Sequence, residues 1–123
     1  MNDQLKREHF KRVTGLEARR MYNRLCDACD SRPDGMTDAD QMLVSDIAYG
    51  EQLKQLLMDD VAERGIGKEV RNGRQTYYQE NKSLAQIRAI CDQQRKQMAE
   101  LKLTPSGRKA AAVELDDEFD RFS

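Results

Sequence analysis

Between Asn81 and Lys109 the apolar positions recur every three or four residues: Leu84, Ile87, Cys91, Met98 and Leu101, with Gln94 completing the series as its one polar member. That alternation predicts a helix with a packed seam close to a coiled-coil heptad. Asn81 suits the N-cap, because its side-chain oxygen can accept from a free amide of the first turn. At the other end Leu103-Thr104-Pro105-Ser106-Gly107-Arg108 stops the helix, since Pro105 disfavours helical geometry at Thr104. Thr104 can then cap a further short helix with Pro105 at its first position. Gln94 has two readings: a position at the edge of the stripe, or a buried amide that fixes register where identical helices meet in an oligomer.

The same reading applied upstream predicts two more helices. Over residues 3–30 Phe10, Val13, Met21, Leu25 and Cys29 fall near one face, and Gly15 leaves open a bend or a break into two pieces. Ser31-Arg32-Pro33-Asp34-Gly35 reads as a turn. Thr37 caps the next helix, with Asp38 and Asp40 at its positive end and Leu43, Ile47, Leu53, Leu57 and Val61 as its apolar stripe. Gly65 is expected in a left-handed closing position, with Ile66 folded back onto Val61. In the insert over residues 65–80, Asn72-Gly73 predicts a tight hairpin turn. The fold class expected is all-α: a long antiparallel helical hairpin with an N-terminal basic helix, a short hairpin-like insert and an acidic C-terminal tail. Residues 1–112 form the helical body and 113–123 the tail.

Composition modifies this picture in one respect. Charged residues make up 35% of the 123 positions, against roughly 25% in typical globular chains, and there is no Trp. Such a chain suits long exposed helices that complete their core against neighbouring subunits. The net charge of −1 conceals segregation. Residues 1–24 carry seven Lys/Arg against three Asp/Glu, and residues 25–64 carry three against ten. Residues 65–109 carry ten against four, and residues 110–123 one against five. Two basic blocks are thereby available to nucleic acid: Lys6, Arg7, Lys11, Arg12, Arg19, Arg20 and Arg24 in the first, and Lys68, Arg71 and Arg74 of the insert in the second. Solvated helix faces would give the same charge pattern.

Candidate chemistry adds little. Cys26-Asp27-Ala28-Cys29 is a C-x-x-C with no second pair, and His9 and Cys91 lack metal-ligand spacing, so no metal site is expected. Gly65-Ile66-Gly67-Lys68 falls short of a phosphate-binding loop and lacks a preceding strand. One histidine on a basic stretch and scattered carboxylates offer no catalytic constellation; no catalytic residue and no cofactor are predicted. An odd number of cysteines fits a reducing compartment, and the sequence has no apolar run that could span a membrane and no signal peptide.

The Leu103-Thr104-Pro105-Ser106-x-Arg108 ending after a long helix, followed by an acidic tail, resembles the phage terminase small subunits. Asn81 matches the Asn of their Asn-Pro helix start, while Lys82 stands where that family prefers Pro. The resemblance implies a non-enzymatic DNA-packaging factor in the cytoplasm of the infected or lysogenic bacterial host. Such a factor forms a homo-oligomeric ring, binds double-stranded phage DNA at the packaging site and regulates the terminase large subunit, which carries the ATPase and nuclease. On that reading the seam of Leu84, Ile87, Cys91, Gln94, Met98 and Leu101 serves oligomerisation. Leu115, Phe119 and Phe122, at helical spacing in the tail, either pack on their own subunit or dock on the large one. A helical DNA-binding regulator of another kind and a structural adaptor that never touches nucleic acid remain the alternatives.

Overall fold

The computed structural model describes residues 1–103, so the Pro105 stop and the acidic tail lie outside the described residues. Six elements follow in order: α1 (Asp3–His9), α2 (Leu16–Asp30), α3 (Asp38–Arg64), β1 (Gly67–Asn72), β2 (Gln75–Glu80) and α4 (Lys82–Glu100). The chain is mainly helical, with a two-stranded antiparallel sheet where the insert was expected.

The first helical stretch breaks in two between His9 and Leu16. Gly15, at the N-cap of α2, has no side chain to offer the free amides. Gln52 of α3 instead holds the two residues before the helix, with Oε1 accepting from the Thr14 amide at 2.8 Å and the Gly15 amide at 2.7 Å. Arg19 closes the same corner. Its Nε donates to the Val13 carbonyl at 2.8 Å, and its Nη2 to the Phe10 carbonyl at 2.9 Å.

The core sits where α1, α2 and the first half of α3 meet. Val13, Ala18, Tyr22, Leu25, Cys26, Cys29, Val44, Ile47, Ala48 and Leu101 are all buried there. Burial of each large side chain contributes roughly 1.5–3 kcal/mol. Tyr22, absent from the predicted stripe, is fully buried because its hydroxyl finds partners. Gln41 Nε2 donates to Tyr22 Oη at 2.9 Å, and His9 Nδ1 lies 2.8 Å from the same oxygen. Gln41 also exchanges two 2.8 Å hydrogen bonds with the Asn2 backbone, tying the start of α1 to α3. Burial, and then the Arg12 charge, lower the pKa of His9 below its ordinary value.

Thr37 and Asp40 form a reciprocal capping box at the start of α3. Asp40 also receives Arg32 Nη2 at 2.7 Å, while Arg32 Nη1 donates to the Leu101 carbonyl at 2.7 Å. One turn residue thereby locks the ends of α2, α3 and α4 together.

The two long helices run in opposite directions. Asp60 meets Ser83, Gly50 faces Ile90, and the Ile47 carbonyl accepts from Gln94. Gly65 does not take the expected left-handed helical position. Its φ of 80° is paired with ψ of 178°, and its amide makes a single bond back to the Val61 carbonyl. Ile66 is 63% exposed rather than folded onto Val61. Across the ribbon Asn81 Nδ2 donates to the Gly65 carbonyl at 3.0 Å and the Asn81 amide to the Ile66 carbonyl at 2.9 Å, which holds this stretch alongside the start of α4 and directs it into β1.

The Schellman geometry appears instead at the end of α4, before the Pro105 stop. The Leu103 amide donates to the Met98 carbonyl and the Lys102 amide to the Ala99 carbonyl, with Lys102 at φ 59°. Met98 and Leu103, the pair that such a closure brings together, both pack against the core.

Candidate nucleic-acid interface

The seven basic residues of the first block do not form one face. Arg12 Nη2 donates to Ser45 Oγ at 2.8 Å and Asp46 Oδ1 at 2.9 Å, and its guanidinium lies 4.8 Å from the centre of the Tyr49 ring. Arg19 is held at the α1–α2 corner, with its guanidinium 4.6 Å from the Phe10 ring centre. Both side chains are engaged by their own chain. Lys6 lies half-buried, 5.4 Å from the Phe10 ring centre.

Arg7, Lys11, Arg20 and Arg24 are exposed. Arg20 pairs with exposed Glu17 at 2.8 Å, an interaction worth at most about 1 kcal/mol. Arg20 and Arg24, one helical turn apart, share the side of α2 away from the core. The cations of this block left to a polyanion are therefore mainly Arg7, Lys11, Arg20 and Arg24.

The second block divides for a different reason. β1 and β2 pair with Gly67 opposite Glu80 and Asn72 opposite Gln75, which makes Gly73-Arg74 the two-residue turn instead of Asn72-Gly73. Gly73 has φ +65°, the conformation a turn with Gly first requires, and Arg74 has no positive φ. Lys68 and Arg71 are three positions apart on one strand, so they point to opposite faces of the ribbon. Arg74 sits at its tip. At the ribbon's base an open hollow of about 520 Å³ is lined by Arg64, Lys68 and Lys82 together with Glu80.

The Asp60 carboxylate near this surface is occupied. Asp60 is gripped by Arg64 through both oxygens at 2.6 Å, by Ser83 Oγ at 2.7 Å and by Asn81 Nδ2 at 3.3 Å. Arg64 first, then Ser83, hold its pKa well below the ordinary carboxylate range.

The predicted seam of α4 faces α3 of the same chain. Gln94 and Leu101 are buried, and Leu84, Ile87, Cys91 and Met98 half-buried. Gln94 finds every partner within the chain: Nε2 donates to the Ile47 carbonyl at 3.1 Å and to Glu51 Oε2 at 3.3 Å, while Oε1 accepts from Lys54 Nζ at 3.0 Å. Its amide therefore sets the register of α4 against α3, a role that periodicity alone assigns either to the stripe's edge or to a neighbouring subunit. Glu51 feels burial most, which raises its pKa, yet Lys54 and Gln94 outweigh that and lower it.

The distal half of the helical pair is covered on one side only. Leu56 is 62% exposed, and Leu53, Met58 and Tyr77 are also exposed.

The cysteine pair is inert. Burial pushes the Cys26 thiol up to about 12, with neighbouring Cys29 adding to the effect, and burial raises Cys29 as well. Thiols kept protonated at neutral pH are poor nucleophiles and poor metal ligands. Among the described residues no group of three or more His, Cys, Asp or Glu could hold a metal ion. No helix among them is long and apolar enough to cross a membrane.

Sequence reasoning missed two residues that position this surface. Arg32 reads in the sequence only as part of the Ser31–Gly35 turn, and Gln52 carries no sequence signal. No local pattern marks the Arg32–Leu101 bond or the Gln52 bonds, because those partners lie 69 and about 38 positions away in the chain.

A family model described as "Phage terminase, small subunit" aligns with residues 18–118. No curated protein and no solved structure matches the chain.

Proposed function

We propose a function on one premise: this chain belongs to the phage terminase small-subunit family. It acts in the host cytoplasm as the non-catalytic recognition subunit of a DNA-packaging motor. It binds double-stranded phage DNA at the packaging site, assembles as a homo-oligomeric ring and regulates the large subunit that carries the ATPase and nuclease. The observation that carries this reading is the family match, which runs from α2 through α4 and beyond the described residues.

Two further features support it. Arg7, Lys11, Arg20 and Arg24 are exposed and make no hydrogen bond to the core, while Arg12, exposed as well, is engaged by Ser45 and Asp46 and Arg19 by two backbone carbonyls. A polyanion could therefore be bound by the first four without disturbing the core. The exposed Leu53 and Leu56, one turn apart on distal α3, give copies of the chain an apolar surface to share. For the tail we retain the sequence reading. Leu115, Phe119 and Phe122 are the anchors for the large subunit, and the surrounding acids steer them toward a basic groove.

The test is reconstitution with the large subunit and fragments of the phage genome. Addition of this chain should stimulate the motor's ATPase and direct cleavage to fragments that contain the packaging site. Deletion of residues 113–123 should abolish the stimulation and leave particle mass and DNA retention intact. If the full chain neither stimulates the motor nor retains duplex DNA, the assignment fails.

A further inference from the structure

The ribbon of β1 and β2 is more chain than the connection from α3 to α4 needs. Its base is already closed by the Asn81 amide bonded to the Ile66 carbonyl at 2.9 Å. Helix–helix connections in bundles commonly take about 2–8 residues, so residues 67–80 are not required to turn the chain. They do not enlarge the core either: β2 is exposed along its whole length, and β1 half-buries only Gly67 and Val70. A lone two-stranded ribbon is marginal in water, which makes this one an expensive ornament unless its side chains serve a partner.

The register sorts those side chains by chemistry. Cross-strand partners share a face, so Lys68, Val70, Asn72, Gln75, Tyr77 and Gln79 lie on one side. That face holds one cation, three amides, an apolar Val70–Tyr77 pair and no acid. Both ribbon carboxylates, Glu69 and Glu80, lie on the other face, where Glu80 pairs with Arg88 at 3.7 Å. Arg74 adds a second cation at the tip, and Lys82 a third beside the base.

We infer that this acid-free face reads base edges in the major groove of duplex DNA. The inference rests on the recognition role proposed above and assigns the surface that supplies sequence preference. A major groove about 12 Å wide admits a two-stranded ribbon. Strands of six residues reach about 20 Å, enough to follow several base steps. Asn72, Gln75 and Gln79 carry the paired donor and acceptor that match adenine N6 and N7, Lys68 suits guanine, and Val70 with Tyr77 suits thymine methyl groups. Arg74 and Lys82 flank that face at either end, where cations meet phosphates. The carboxylates on the opposite face are kept from the groove. The basic helices then supply affinity without sequence, and the ribbon supplies choice.

The test uses the full chain and a random-sequence duplex pool. Wild type should enrich a motif. The triple variant Asn72→Ala, Gln75→Ala, Gln79→Ala should retain the same total DNA, with the same salt slope and melting temperature, and lose the motif. Discrimination should fall by about 5- to 150-fold for each amide–base pairing removed. Glu69→Ala, on the opposite face, should keep the motif. If the triple variant enriches the wild-type motif, or if wild type retains DNA and enriches none, the inference is overturned while the recognition role stands. Loss of self-association by the triple variant assigns the ribbon to a contact between copies and also overturns it. If wild type retains no duplex, the recognition role itself falls, and the inference with it.

Discussion

Replacing Arg19 by Ala separates a structural cation from a DNA-binding one. Charge pattern alone groups Arg19 with Arg20, but the structure gives them opposite tasks. Arg19 donates to two backbone carbonyls at the α1–α2 corner and lies against the Phe10 ring. Arg20 touches only exposed Glu17. Each lost hydrogen bond in a half-buried corner costs about 1 kcal/mol, and the cation–π interaction about 0.5–1 kcal/mol. Ala gains a few tenths of a kcal/mol in helix propensity, a minor offset. The net expectation is a loss of about 2–3 kcal/mol, or on the order of 10 °C in melting temperature for a chain of this size. Arg20→Ala should melt within a degree or two of wild type, about what an exposed ion pair is worth. Thermal denaturation followed by circular dichroism, with duplex retention measured across a salt series, reads both effects. Arg20→Ala should reduce the salt slope by about 0.9 for each phosphate the variant no longer neutralises. An Arg19→Ala protein that melts with wild type and shows the reduced slope would refute the reasoning and return Arg19 to the DNA surface.

Gly50→Ala should stabilise the protein by about 0.5–1 kcal/mol, because Gly is costly inside a helix and the added methyl would meet Ile90 and Gln94 at 3.5 Å, ordinary van der Waals distance. Denaturant midpoints check this; a lowered midpoint would mean that α3 and α4 cannot yield even slightly there. Lys102→Gly should also stabilise, by up to about 1 kcal/mol, since Lys102 holds φ 59° without the freedom of glycine. Gly67→Ala should loosen the ribbon, because the methyl would collide with the Tyr78 hydroxyl and lie 2.8 Å from the Gln79 carbonyl; amide exchange in β1 and β2 should quicken. Asp60 is held ionised in the folded state, so its contribution is complete above the ordinary carboxylate value of 3.8 and is lost as pH falls below it. Asp60→Asn should therefore destabilise at neutral pH and match wild type in strong acid, read by melts across a pH series.

The helical elements, and the N-caps of α3 and α4, are legible in the sequence alone. Asn81 and Thr37 announce helix starts because a short polar side chain bonding its own neighbours is a local event. The position of the hairpin near Gly73 was legible for the same reason, although its turn falls one residue later than Asn72-Gly73 suggests, as strand pairing selects the register. Of the predicted stripes, Val13, Leu25, Cys29, Ile47 and Leu101 are buried. Leu53 is exposed and Leu57 and Val61 are half-buried, because α1 and α2 cover only the first half of α3. Periodicity reports which face is apolar, not what lies opposite it.

Tertiary structure decided the rest. Arg12 and Arg20 look alike in sequence; one meets Ser45 and Asp46 across 33 and 34 residues, and the other meets only a neighbour on its own helix. Gln94 looked like a break in an apolar seam until Ile47, Glu51 and Lys54 were brought beside it. Gly65 looked like a left-handed stop, but Asn81, sixteen residues downstream, holds the Gly65 and Ile66 carbonyls and directs the chain into a strand. In each case the deciding partner is distant in the chain, and its hydrogen bonds and charge come into reach only after folding. Local propensity fixes what a segment becomes; the partners that folding brings into reach fix what its polar side chains do.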